Sequence, residues 1–286
     1  MLVSNPVYFY HTYIIARKLG KQVKRLIVKG FTYPVRICTP SLLKKGGYDK
    51  MIKGGVLKYY NLHPWQVRPD EAERIQSALR ERLSLEKEDS SIRTVAGADV
   101  AYRRGKVIGG VVVFQFPDLK LIENEYALSP ATFPYIPGLL SFREGPVLLK
   151  VFEKLKTTPD VIIFDGQGIA HPRRMGIAAH LGILLDRPTV GCAKSILLGN
   201  YTIPADEPGA FCLIRDRGEA VGAALRTKRG VKPVFVSPGN RIDIPGAIRI
   251  VLECTCRHRL PEPLRQAHAF VAKVSKSCLA FSGLCP

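Results

Sequence analysis

An apolar run that ends in a carboxylate is the feature of this sequence that most constrains its fold. Val161–Phe164 are all apolar, and Asp165 follows directly, ahead of a Gly-Gln-Gly turn. A continuous apolar run predicts a strand buried on both faces of a sheet. A carboxylate at the end of such a strand is costly to bury unless it is paired or binds a cation. The run therefore predicts a negatively charged site at a sheet edge, although Asp165 could equally cap the next helix.

Two further carboxylates lie in comparable places. Asp99 interrupts the β-prone segment 94–102, where aspartate is disfavoured unless the position faces water at an edge. Glu144 lies at the start of a predicted helix, where the helix dipole alone favours an acid. Three carboxylates from separate elements suit Mg²⁺ or Mn²⁺ better than zinc, and paired metals of this kind cleave phosphodiesters.

A stiff loop precedes Glu144. Two prolines bracket Tyr135 and Ile136 in the segment 132–138, so the chain is held extended there. The loop presents an aromatic side chain beside an acidic helix start, which is unusual for a simple connection, although a packed turn would also account for it.

These motifs together resemble the endonuclease V family, which repairs deaminated adenine in DNA. The resemblance extends from about Leu62 to Lys276, and it is strongest around Asp99 and in the segments 133–146, 164–173 and 190–195. It implies an α/β fold, a ribonuclease-H-like mixed sheet flanked by helices. It also implies an endonuclease that cuts the second phosphodiester bond 3′ to deoxyinosine and leaves 3′-hydroxyl and 5′-phosphate ends.

The resemblance further implies roles for individual residues. The metal ligands for Mg²⁺, or for Mn²⁺ in its place, would be Asp99, Glu144 and Asp165. These three would act in catalysis together with Lys194 and His268. The residues expected to contact DNA are Tyr135, as a wedge beside the lesion, Arg143 and His171. The residues expected to form the base pocket, where bare backbone amides can sense hypoxanthine, are Gly166, Gly176, Ile177 and Gly191.

Simpler interpretations stand beside these roles. Lys194 could be a solvated lysine at a strand end, and His268 an ordinary surface histidine on a helix. His180 lies mid-helix among apolar residues, which predicts a structural role. Asn240 departs from the family pattern, because many relatives carry a histidine there, and so any phosphate contacts inferred for that loop are in doubt.

The net charge of +19 favours a polyanionic partner. The expected partner is DNA that contains inosine, single- or double-stranded, with RNA as an alternative, and a monomer that binds no membrane is expected. Alternative functions are an inosine-specific endoribonuclease, another ribonuclease-H-like nuclease, and a nucleic-acid-binding relative without activity. Seven cysteines without a Cys-x-x-Cys pair argue against a zinc site and for a reducing, cytoplasmic location.

The charge is concentrated at the start of the chain. Residues 1–55 hold 11 Lys or Arg and one acid, and they match nothing in the family. They are interpreted as a basic extension, with a nuclease domain over 56–286. The extension could be a targeting segment, an arm that binds nucleic acid, or the product of a misassigned start that precedes a true one at Met51.

Periodicity and turn residues predict the elements of the nuclease domain. Helices are expected over 64–83, from 141 to about 156, and over 173–186, 244–254 and 262–276. Strands are expected over 93–102, 107–116, 119–128, 161–164, 188–193, 210–216, 219–226 and 233–237.

Overall fold

The structure is a computed structural model. It describes residues 57–86 and 91–280, without the side chains of 278–280, and the backbone of 25–28, 31–34 and 50–52. The helices are α1 (Pro69–Leu79), α2 (Leu140–Phe152), α3 (Ile177–Leu185), α4 (Ile244–Glu253) and α5 (Glu262–Ala280), with a 3₁₀ turn at Arg80–Arg82. The strands are β1 (Arg25–Val28), β2 (Phe31–Pro34), β3 (Lys50–Ile52), β4 (Tyr59–Asn61), β5 (Thr94–Arg103), β6 (Lys106–Gln115), β7 (Leu121–Pro130), β8 (Val161–Phe164), β9 (Thr189–Ala193), β10 (Phe211–Asp216), β11 (Glu219–Leu225) and β12 (Val234–Pro238).

Eight strands form one mixed sheet in the order β10-β11-β12-β9-β8-β5-β6-β7. The central pairs β5–β8 and β8–β9 are parallel, and the remaining pairs are antiparallel. The chain reaches β8 from the β5–β7 meander through α2, and it reaches β9 from β8 through α3. β8 is buried along its whole length, as its apolar sequence predicts.

Helices cover both faces of the sheet. One core packs α2 and α3 against the face of the sheet that carries Ala96 and Ala98 of β5. The other core packs α4 and α5 against the opposite side. Glycines let α5 approach closely, because a Cβ on Gly97 would lie 2.1 Å from the Pro263 carbonyl oxygen, and one on Gly110 would lie 2.4 Å from Val271. The predicted mixed sheet between helices is confirmed.

Two predicted helices are shorter than expected. The helix predicted over 64–83 begins only at Pro69, because proline fits the first turn of a helix, where no backbone donor is needed. The helix predicted over 173–186 begins at Ile177. The amides of Arg173 and Met175 donate to the Nδ1 atom of His171, so the preceding segment forms a turn around that ring.

The chain divides into two compact units, residues 1–46 and 47–286. In the first unit, β1 pairs with β2. In the second unit, β3 pairs with β4 through Met51 and Tyr60, so a boundary at residue 55 would separate paired strands. The remaining residues of the basic extension, 1–55, lie outside the described residues. Among those described, no helix is long and apolar enough to cross a membrane.

Candidate active site

Asp99 lies on β5, and Asp165 directly follows the neighbouring strand β8 at the same level of the sheet. β5 and β8 run parallel with Ala98 opposite Phe164. The amide of Asp165 donates to the carbonyl of Ala98 at 3.3 Å, which places Asp165 beside Asp99. The strand register therefore brings together two carboxylates that are 66 residues apart in the sequence.

Glu144 reaches the same site from α2. Its carboxylate is buried and accepts a hydrogen bond of 2.9 Å from the hydroxyl of Tyr102. The guanidinium of Arg143 lies over the Tyr102 ring, 4.5 Å from its centre, and donates to the Phe133 carbonyl oxygen at 2.6 Å. Tyr102, which packs against Arg143, thus holds the Glu144 carboxylate beside the end of β5.

The charges of neighbouring carboxylates influence the ionisation of Glu144 and of Asp99. Burial raises the pKa of Glu144 to about 8; the Tyr102 hydrogen bond opposes this shift, and the charges of Asp99 and Asp165 add to it. Burial also raises the pKa of Asp99, and the charge of Asp165 adds to that shift. Close, partly desolvated carboxylates favour either a proton or a cation between them.

His268 is held against Asp99 by the packing of α5. Its Nδ1 lies 2.8 Å from Oδ2 of Asp99, whose Oδ1 accepts from the Val100 amide. Because a carboxylate accepts, Nδ1 carries the proton, and in the neutral ring Nε2 is then an acceptor. The side chain of His268 is 65% exposed, so the ring is open to an incoming substrate.

Lys194 follows the last residue of β9 and contacts the other aspartate. Its Nζ lies 2.5 Å from Oδ2 of Asp165, and the side chain is half exposed. Burial alone would lower the pKa of Lys194, but the hydrogen bond to Asp165 and the charges of Asp165 and Asp99 together outweigh it, and the pKa is raised. The lysine therefore stays charged at the edge of the carboxylate cluster.

The donor set fits a hard divalent cation. In the part of the chain that the structure describes, no three His, Cys, Asp or Glu side chains have the spacing of a formed metal site. The carboxylates are held by Lys194, His268 and Tyr102. Carboxylate oxygens are nevertheless the ligands that Mg²⁺ and Mn²⁺ prefer, and a bound cation would relieve the repulsion between the three groups.

A cavity of about 320 Å³ lies beside the cluster. Asp165 and Lys194 line it on one side, and Tyr135, which is 69% exposed, lies on its rim. Of the predicted pocket residues, Gly166, Gly176 and Ile177 line it. Gly191 lies behind the wall, where a Cβ would meet the Gly168 amide nitrogen at 2.4 Å, so it supports the 166–168 turn instead.

Two residues predicted to contact DNA make their contacts inside the protein. His171 is buried; its Nε2 lies 2.8 Å from the Gly138 carbonyl oxygen, while Nδ1 accepts from two amides. Arg143 is half-buried, and its guanidinium lies over the Tyr102 ring. Neither side chain is exposed as Tyr135 is, although His171 lines the cavity, and the DNA contacts expected of both stay a prediction.

Sequence reasoning missed two residues that shape the site, Tyr102 and Gln76. A tyrosine at a strand end and a glutamine on a surface helix carry no chemical signal in a single sequence. By contrast, the structural role predicted for His180 is confirmed: its ring is buried and bonds to His63 and Ser141. Asn240 is also buried, and its side chain bonds to Gly182 and Ser84.

Comparisons with known proteins place the chain in a family. The sequence model of the Endonuclease V family matches residues 77–269. Endonuclease V of Methanothrix thermoacetophila is 50% identical over 217 residues, which cover 76% of this chain and 96% of that protein. The crystal structure of Endonuclease V from Streptomyces avermitilis is 38% identical with a TM-score of 0.72, and the match covers 75% of this chain and 96% of that one.

A further structural match holds a ligand. Ciona intestinalis Endonuclease V, in complex with a 24mer DNA containing an inosine followed by a ribo-adenosine, is 28% identical with a TM-score of 0.64, over 73% of this chain and 98% of that one. Fold and site thus define a ribonuclease-H-like nuclease. The chain belongs to the Endonuclease V family, whose members are metal-dependent endonucleases of DNA repair.

Proposed function

We propose that this protein is a Mg²⁺-dependent endonuclease that recognises inosine and cuts the second phosphodiester bond on its 3′ side, leaving 3′-hydroxyl and 5′-phosphate ends. The observation that carries the proposal is the cavity whose wall includes Asp165 and Lys194 and whose rim carries Tyr135. A base in that cavity would keep its own strand within reach of the carboxylates. The inosine-containing DNA bound by the Ciona relative supports the same substrate.

The carboxylates would hold the metal. Asp99, Glu144 and Asp165 would bind Mg²⁺, which Mn²⁺ could replace, and the bound cation would supply Lewis-acid stabilisation of phosphoryl oxygens and an activated water. Tyr102 keeps the Glu144 carboxylate oriented. These three residues are therefore proposed as the metal ligands of the reaction.

His268 and Lys194 would act on the proton and on the charge of the reaction. The Asp99 hydrogen bond holds the proton on Nδ1 of His268, so the exposed Nε2 can accept a proton from an attacking water. The ammonium of Lys194, at the junction of the cluster and the cavity, can stabilise the negative charge that develops on the phosphoryl group.

The cavity would select the base. Gly166 and Gly176 present backbone without side chains, and at Gly176 a Cβ would lie 2.3 Å from the Gln167 carbonyl oxygen, so only glycine fits. Tyr135 would replace the stacking lost by a displaced base. An inosine pair yields more readily than a normal pair, so the wedge favours lesions.

The test is nicking of four end-labelled oligonucleotides: deoxyinosine or adenosine, each followed by a deoxy- or a ribonucleotide. We expect Mg²⁺-dependent product only with inosine, one nucleotide beyond the lesion, with a ligatable 3′-hydroxyl. Product only from the ribonucleotide strands would make the protein an endoribonuclease. No product from any strand, with binding retained, would indicate a relative without activity.

A further inference from the structure

We propose that Gln76 is a positioning residue that clamps the loop carrying Tyr135 to the turn at Met175, which also lines the cavity. Gln76 lies on α1, one residue before the segment matched by the family model. Its effect on selection of the base rests on the proposed function, whereas the clamp itself can be tested without any substrate.

Three donors converge on one carbonyl oxygen, that of Gly138. They are Nε2 of Gln76 at 3.1 Å, Nε2 of His171 at 2.8 Å and Nη2 of Arg173 at 3.1 Å. Gly138 follows the loop's second proline and has φ +83°, a conformation that favours glycine. A carbonyl oxygen with two lone pairs is fully used by such a set, so the end of the loop is firmly held.

The carboxamide of Gln76 is saturated as well. It donates to the Met175 carbonyl oxygen at 3.1 Å and accepts from Nε of Arg173 at 2.7 Å. The guanidinium of Arg173 also pairs with Glu73, one turn earlier on α1. Gln76 is 1% exposed, so water does not replace its hydrogen bonds to the groups that it contacts. One buried side chain thus joins the loop at Gly138 to the turn that lines the cavity.

The clamp determines where Tyr135 stands. Tyr135 is three residues before the clamped carbonyl. The prolines at 134 and 137, on either side of Tyr135 and Ile136, limit the freedom of this segment. A loop released at Gly138 would let the ring and the cavity wall move apart. Small displacements of a positioned group weaken its action strongly.

The experiment compares Gln76→Met, which keeps the length but loses the hydrogen bonds, with Leu79→Ala on the same helix. Leu79 is buried against Met175, so its truncation loosens the packing of α1 without touching Gly138. Hydrogen exchange should be about tenfold faster at the Leu139 amide, which donates to Ile136 within the loop, in Gln76→Met only. The preference for inosine over undamaged duplex should fall about 5- to 20-fold, while the single-turnover rate at saturating inosine substrate stays within about threefold.

A double-mutant cycle ties the effect to the wedge. In a Tyr135→Ala background, Gln76→Met should lower the inosine preference no further, because both changes remove the same positioned ring. Unchanged exchange at Leu139 in Gln76→Met, or an equal loss of preference in Leu79→Ala, would overturn the clamp. Wild-type protein that nicks no inosine strand would overturn the proposed function alone, since the exchange measurement stands without it.

Discussion

The carboxylate cluster and the cavity beside it are built by opposite means. The cluster is a set of ionisable groups: Asp99 within β5, Glu144 within α2 and Asp165 directly after β8, in contact with Lys194, His268 and Tyr102. Apart from Asp165 and Lys194, the cavity is lined by neutral side chains and glycine backbone, and hydrogen bonds from Gln76 and His171 hold the Gly138 carbonyl oxygen. Charge provides the chemistry, and rigid backbone provides the shape. We therefore expect changes in the cluster to reduce the rate of cleavage, and changes around the cavity to reduce selectivity.

The largest effect is expected from Asp99→Ala or Asp165→Ala. Either change removes a proposed metal ligand and with it several kcal/mol of transition-state stabilisation. The single-turnover rate of cleavage should therefore fall about a thousandfold or more. Binding to inosine duplex should persist, since the cavity wall is intact. Asp118→Ala, an exposed acid in the β6–β7 turn, is the matched control and should cleave normally. Near-wild-type turnover of either site variant at ordinary Mg²⁺ concentration would remove these residues from the reaction.

Tyr135→Ala tests the cavity side of the comparison. Loss of the exposed ring should reduce the preference for inosine by about 1–3 kcal/mol, the value of one stacked base. The rate at saturating substrate should change much less. Tyr135→Phe keeps the ring and should retain the preference. Equal affinities of Tyr135→Ala and wild type, measured on inosine and undamaged duplexes, would make Tyr135 an ordinary loop residue.

What could be predicted from sequence follows the same division. The charged residues of the site and the strands that carry them were predicted, because carboxylates beside buried apolar runs are chemically conspicuous. The hydrogen bond between Asp99 and His268, 169 residues apart, required the register of β5 and the close packing of α5 on Gly97. Gln76 has no sequence signal, because its importance lies in what it contacts. His171 was predicted to contact DNA from its place in the sequence, whereas its burial beside the cavity and its hydrogen bond to Gly138 are visible only in the structure.

Acid should destabilise the folded protein through the buried ring of His171 beside the cavity. Burial lowers the pKa of His171 to about 4, so the folded protein keeps the ring neutral while the unfolded chain takes up a proton below about pH 6.5. Its contribution to stability is therefore present above pH 6.5 and is lost as pH falls towards 4, at up to about 1.4 kcal/mol per pH unit. Burial also lowers the pKa values of His63 and His180, which act in the same direction.

Thermal unfolding between pH 7 and pH 5 measures this effect. His171→Gln should unfold at a lower temperature at pH 7 but lose less stability on acidification than wild type does. His258→Gln, at an exposed position, should show the wild-type slope. A slope unchanged in His171→Gln would show that the ring is not kept neutral by burial.

Tyr102→Phe is expected to have a smaller effect, on the cluster. It removes one hydrogen bond to the Glu144 carboxylate, worth about 1 kcal/mol at a half-exposed hydroxyl. That hydrogen bond lowers the pKa of Glu144, so its loss should shift the acid limb of the pH–rate profile to higher pH and raise the Mg²⁺ concentration for half-maximal rate. The inosine preference should not change. A loss of preference without a shifted profile would place Tyr102 with the cavity instead.

Removal of residues 1–46 is expected to have the smallest effect, because every residue of both regions lies in the second compact unit. This boundary keeps β3 paired with β4, which a cut at 55 would not. Residues 1–46 hold nine Lys or Arg and no Asp or Glu, so their loss should flatten the salt dependence of DNA binding. Unfolding temperature, cleavage rate and inosine preference should match the full chain at low salt. A truncated protein that is inactive there would show that the extension contributes to one of the two regions, and the affected quantity, rate or preference, would identify which.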